Sequence, residues 1–128
     1  MVVIEFKVIK IDFLNISPVP QTEERWRSMN FRKALALSEI SDVNSVLKLK
    51  YVAFDKFNAR RTIEDWVNDP NKKSPAQQLK EYWNSVEITE LRNKFDVKAY
   101  LVVIIGCRKI VLWPLDINGQ LGSPELVG

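Results

Sequence analysis

The run Val2-Val3-Ile4-Glu5-Phe6-Lys7-Val8-Ile9 reads as a β-strand that carries charge on one side only. β-Branched and aromatic residues fill it, as a pleated, half-buried surface favours. Strand side chains alternate with period two, so Val2, Ile4, Phe6 and Val8 share one face. Glu5 and Lys7 share the other, flanked by Val3 and Ile9. On a strand expected to be buried, a carboxylate and an ammonium among apolar neighbours are costly. They must be paired with each other, solvated in a cleft or bound to a metal. Glu5 and Lys7 are therefore the first candidate site.

Composition narrows the remaining choices. A chain of 128 residues with 46% hydrophobic residues fits a single domain, 1–128, with a real core. Nineteen basic against sixteen acidic residues leave a net charge of +3, too weak by itself to argue nucleic-acid binding. Cys107 is the single cysteine, which excludes an internal disulfide and points to a reducing compartment. Histidine is absent, so no zinc is expected, and a metal site would use oxygen ligands suited to Mg²⁺ or Mn²⁺. Charged residues interrupt the N-terminal apolar run, unlike a secretory signal. The longest apolar stretch, Ala99 to Ile105, falls far short of the roughly 20 residues that span a bilayer. A soluble cytoplasmic protein with no membrane partner is the expectation.

Along the chain, the first strand is expected from Val2 to about Leu14, with a bulge or departure where the apolar pattern moves to the Glu5/Lys7 face at Ile9, Ile11 and Phe13. After a Pro18/Pro20 loop, a helix is expected from Thr22 to about Ser38, capped by Thr22. Ser45 to Phe54 reads as a second strand, with Leu47, Leu49, Tyr51 and Ala53 on one face. A short helix is expected near Arg60 to Val67, ended by Asn68-Asp69-Pro70. The strongest helix signal runs from Pro75 to about Phe95. Ser74 is its N-cap, Pro75 its first residue, and Gln77 completes a capping-box pattern. Lys98 to Ile105 reads as a central strand covered on both faces, and Gly106 as a tight turn into a returning strand at Ile110 to Leu115. The tail from Asn118, with three glycines and a proline, reads as loose.

Glu5-Phe6-Lys7 matches an E-x-K strand motif, and Gln78 and Tyr82 match a Q-x-x-x-Y helix motif that puts both side chains on one helical face. In this order, ahead of the apolar strand Ala99 to Ile105, they resemble the PD-(D/E)XK nuclease superfamily. The likeness is to its RecB-like and Cas4-like branches and to the nuclease-type domains attached to AAA-type ATPases. The resemblance implies an α/β fold, or an α+β one: a mixed central sheet flanked by helices, in a restriction-endonuclease-like core lacking its first elements. Residues 18–73 would then be an insertion and 118–128 a loose tail. It also implies a Mg²⁺- or Mn²⁺-dependent hydrolase acting on DNA phosphodiesters. Glu5 would be the metal ligand, Lys7 would orient the attacking water, and Gln78 and Tyr82 would position nucleic acid.

The family draws a second carboxylate from a strand ahead of E-x-K, and only four residues precede Glu5 here. The resemblance therefore implies a degenerate or partner-completed enzyme, or a site in which Asp12, Asp42 or Asp55 substitutes. Arg25, Arg27, Arg32 and Lys33 form a basic group that could meet phosphates, with Trp26 for base stacking; a solvated helix face is the simpler account of them. The alternative function is a non-enzymatic interaction or dimerisation module derived from the same fold, a homo-oligomer or one docked to a larger protein.

Overall fold

A parallel pair of eight-residue strands, β1 (Val2–Ile9) and β4 (Lys98–Ile105), organises the chain. The structure is a computed structural model that describes residues 1–11, 14–15, 32–51, 61–71 and 73–128. Between the two strands lie a helix over residues 32–38 (α1), α2 (Val43–Leu47), α3 (Ile63–Val67), α4 (Pro75–Trp83) and α5 (Val86–Lys94). A two-stranded sheet of β2 (Leu14–Asn15) and β3 (Lys50–Tyr51) lies in the same interval. After β4 the chain turns back antiparallel as β5 (Lys109–Pro114), which pairs with β6 (Glu125–Leu126). The main sheet is mixed, in the order β1-β4-β5-β6, and the fold is α/β as expected.

The register sorts side chains strictly by parity. Glu5 lies beside Leu101, Lys7 beside Val103 and Ile9 beside Ile105 on one face. On that face Leu101, Val103 and Ile105 are completely buried, in one core with Leu37, Leu79 and Ile88 from the helices. On the other face Ile4 lies beside Tyr100, Phe6 beside Val102 and Val8 beside Ile104. The end strand of that face is open to solvent: Val2 is 56% exposed, Ile4 45%, Phe6 57% and Val8 60%. Among the described residues no strand pairs with the outer side of β1, which is an edge strand rather than a buried one. β4 is central: its helix-facing side is sealed, and on its other side Val102 is buried while Tyr100 and Ile104 are half-buried.

Several expected boundaries move, each for a local reason. β1 stops at Ile9, and Lys10 is exposed. The strand expected over Ser45 to Phe54 begins as a helix, because Asp42 caps it and Val43, Val46 and Leu47 follow helical spacing inward. Among the described residues of that span Lys50–Tyr51 forms a strand, and residues 52–54 lie outside the described residues. The expected helix from Thr22 is described only from residue 32, and its earlier part lies outside the described residues. α3 carries the capping box, with Thr62 and Asp65 bonding each other's backbone. At α4 the described bond is the Ser74 hydroxyl accepting from the Gln77 N–H.

The long helix expected from Pro75 to Phe95 is two. Asn84 ends α4, and the Ser85 hydroxyl accepts from the Ile88 N–H to start α5. Asn and Ser compete for backbone hydrogen bonds and favour caps over helix interiors. The Arg92 guanidinium lies 4.3 Å from the Trp83 ring centroid and ties α5 to α4.

Gly106 and Cys107, both at φ 57°, turn β4 into β5. A Cβ at Gly106 would meet the tip of the Leu37 side chain at 3.0 Å, so a larger residue there needs Leu37 to give way, besides the left-handed backbone that favours glycine. The tail is not loose. Asp116 accepts from the N–H groups of Asn118 and Gln120, Leu115 bridges Leu121, and β6 joins the sheet.

Leu101→Ala is expected to cost about 2–5 kcal/mol in denaturant unfolding, since it empties a central, fully buried site. Ser74→Ala is expected to cost about 1 kcal/mol through the lost cap. Val8→Ala, on the open face, is expected to cost less than about 1 kcal/mol.

Candidate functional site

Parity puts Glu5 and Lys7 on the helix-facing side of β1, and the edge position leaves both half-buried. Lys7 Nζ lies 3.2 Å from Glu5 Oε1. The two charges that the sequence leaves to be paired, solvated or metal-bound are paired with each other. With both side chains partly in solvent, such a pair contributes at most about 1 kcal/mol.

Beside Glu5 the sheet edge opens into a groove of about 490 Å³ between β1 and the helices α4 and α5. Residues 1–5 of the strand end line it on one side and Leu79, Tyr82, Ile88 and Leu91 of the helices on the other. Leu79 and Ile88 are buried in the core, whereas Tyr82 is mostly exposed at the rim. Gln78 is half-buried one position before Leu79 and does not line this groove. The structure therefore brings Glu5 and Tyr82 to one cavity. Tyr82 is a rim residue, mostly exposed.

The other expected residues are dispersed. Arg25, Arg27 and Trp26 lie outside the described residues. Arg32 is exposed at the first described turn of α1. Lys33 beside it is buried, and its ammonium donates to the Ile11 carbonyl at 3.3 Å, so it points inward rather than lining a basic outer face. Arg61 pairs with Asp69. Cys107 is exposed in the β4–β5 turn, and Trp113 is packed in the core.

Of the three substitute acids, Asp12 and Asp55 lie outside the described residues. Asp42 is engaged as the cap of α2: its carboxylate accepts from both the N–H and the hydroxyl of Ser45 at 2.9 Å. Those bonds, the hydroxyl's foremost, hold its carboxyl below the ordinary carboxylate value. Among the described residues no three acidic or cysteine side chains gather as a metal cage. No helix among them is long and apolar enough to cross a membrane.

What the sequence left unremarked is the open row Val2, Ile4, Phe6 and Val8 as a surface. The signal was present in the alternation of β1; what was missing was which strand lies beside it. Comparisons with protein-family models, with curated proteins and with solved structures find no match.

A group whose folded pKa is lowered adds stability above its unfolded pKa and loses it as pH falls through the folded value. The Ser45 amide resonance is accordingly expected to titrate with a midpoint below the roughly 3.9 of a free aspartate. Asp42→Asn should abolish that step and leave the helix Val43–Leu47 insensitive to acid in this range. A midpoint at the free value would show that the cap does not form.

Proposed function

We propose that this chain is a non-enzymatic interaction module that docks through the β1 side of its sheet. The observation that carries this is the open apolar row of β1, where Val2, Ile4, Phe6 and Val8 are each about half exposed or more. On the neighbouring strands the same face carries Tyr100 and Ile104, both half-buried, Ile110, exposed, and Val102, buried beside Phe6. A contiguous apolar surface of several hundred Å² marks an interaction site on a soluble protein, whereas single exposed apolar side chains do not. The pairing of Glu5 with Lys7 agrees with this reading, because each charge is already answered within the chain.

One observation favours the nuclease-like reading as a second proposal. Glu5 of the E-x-K motif and Tyr82 of the Q-x-x-x-Y motif line the same groove. In that reading Glu5 would hold Mg²⁺ or Mn²⁺ with a carboxylate from elsewhere, Lys7 would leave its ion pair to orient water, and DNA would lie along the groove past Tyr82. Arg32 could add a phosphate contact at the surface.

The two readings separate in one set of assays. Single- and double-stranded DNA are incubated with wild type, Glu5→Ala and Lys7→Ala in Mg²⁺ or Mn²⁺. In parallel, binding of an apolar-surface dye to the native protein is measured for wild type and for a variant with Ile4, Phe6 and Val8 all changed to threonine. The interaction module predicts no cutting that depends on Glu5 or Lys7, and dye binding that falls several-fold in the threonine variant with the fold retained by circular dichroism. Metal-dependent cutting lost in both alanine variants would overturn it in favour of the nuclease.

A further inference from the structure

Resting on the interaction-module reading, we propose that the partner at the β1 edge is a second copy of this chain. The two β1 strands pair antiparallel about a two-fold axis at Phe6, so that Glu5 of each copy faces Lys7 of the other. Three independent features of β1 converge on this register.

The first is the direction of its hydrogen-bonding groups. The Met1 carbonyl accepts from the Lys98 N–H and the Ile9 carbonyl from the Gly106 N–H. In a parallel ladder such groups alternate, so the odd-numbered residues of β1 bond β4 and the even-numbered ones point outward. Ile4, Phe6 and Val8 therefore present N–H and C=O groups at the sheet's end, and no described residue bonds them. An antiparallel self-pairing whose centre exchanges hydrogen bonds must be centred on one of these outward residues.

The second is charge. Centred on Phe6, the pairing sets Glu5 opposite Lys7 twice, once on each side of the axis. These are the non-hydrogen-bonded pairs of the ladder, in which side chains approach most closely. Centred on Glu5 or Lys7, the same strand would set like charges face to face. Centred on Ile4 or Val8, it would leave the charges opposite apolar residues or beyond the strand's end.

The third is the symmetry of Val3-Ile4-Glu5-Phe6-Lys7-Val8-Ile9 about its middle residue. Ile4 meets Val8 and Val3 meets Ile9, so β-branched residues meet on both faces, as antiparallel pairs favour. The groove beside Val3 and Glu5 leaves room for side chains of the incoming strand on the helix side. A lysine in mid-edge ordinarily repels an added strand. Here it admits the one strand that brings a glutamate to meet it. Pairing in this way joins the two open apolar rows into a single wider surface.

The test uses charge reversal in the full chain, with mass measured by sedimentation across a concentration series. Wild type is expected to form a dimer. Glu5→Lys alone and Lys7→Glu alone each create two like-charge contacts and are expected to weaken association by about tenfold. An equimolar mixture of the two single variants restores every contact and is expected to dimerise like wild type, a rescue that an ion pair within one chain does not give. As a check that needs no charge reversal, Glu5→Cys and Lys7→Cys are made in a Cys107→Ser background. Their mixture should form a disulfide-linked dimer under mild oxidation, while each alone should cross-link poorly, because the two copies of one position lie beyond the roughly 7 Å that a disulfide can bridge. A wild-type monomer at every concentration would overturn the proposal and leave Lys7 as a guard of the edge. A dimer whose mixtures neither rescue nor cross-link would overturn the β1 register while leaving the interaction-module reading standing.

Discussion

The parallel ladder between β1 and β4 is the constraint on which the rest depends. It joins segments 2–9 and 98–105, and every described helix lies in sequence between them. β4 takes β5 on its other side, and among the described residues no strand pairs with the outer side of β1, which ends the sheet. Because parallel neighbours share faces, Leu101, Val103 and Ile105 commit the odd face of β1 to the helices. Ile4, Phe6 and Val8 are left to solvent. A single pairing thus produces the core, the groove beside Glu5 and the open apolar row together.

The same ladder explains why two charges are tolerated among apolar residues. At a central strand, Glu5 and Lys7 would be sealed beneath the helices at the cost of desolvating both. At the edge they keep part of their hydration and neutralise each other at 3.2 Å. The groove walled by Leu79, Tyr82, Ile88 and Leu91 then lies against the carboxylate rather than over it.

Much of this was legible in the residues. The strands at Val2–Ile9, Lys98–Ile105 and Lys109–Pro114, the turn at Gly106, the cap at Ser74 and the shared face of Glu5 and Lys7 all follow from alternation, apolar runs and capping chemistry. Boundaries were less legible where a local cap outweighed periodicity. Asp42 turned an expected strand at Ser45 into a helix, and Asn84-Ser85 divided one helix into two. The solvent exposure of Ile4, Phe6 and Val8 was not legible at all. Alternation tells which residues share a face but not which face the helices take, and that depends on pairing across more than ninety positions. Lys33 shows the converse: in a run of basic residues nothing local distinguishes the one whose ammonium turns inward to a carbonyl.

Amide hydrogen exchange, residue by residue along β1 and at several protein concentrations, tests most directly that this strand is the docking element. The N–H groups of Val3, Glu5 and Lys7 bond β4 and should be protected throughout. Those of Ile4, Phe6 and Val8 should exchange quickly in dilute solution and become protected as concentration rises, because a second strand then bonds them. Fast exchange of all three at every concentration, with Val3, Glu5 and Lys7 still protected, would contradict the account and show a folded chain whose open edge no second copy fills.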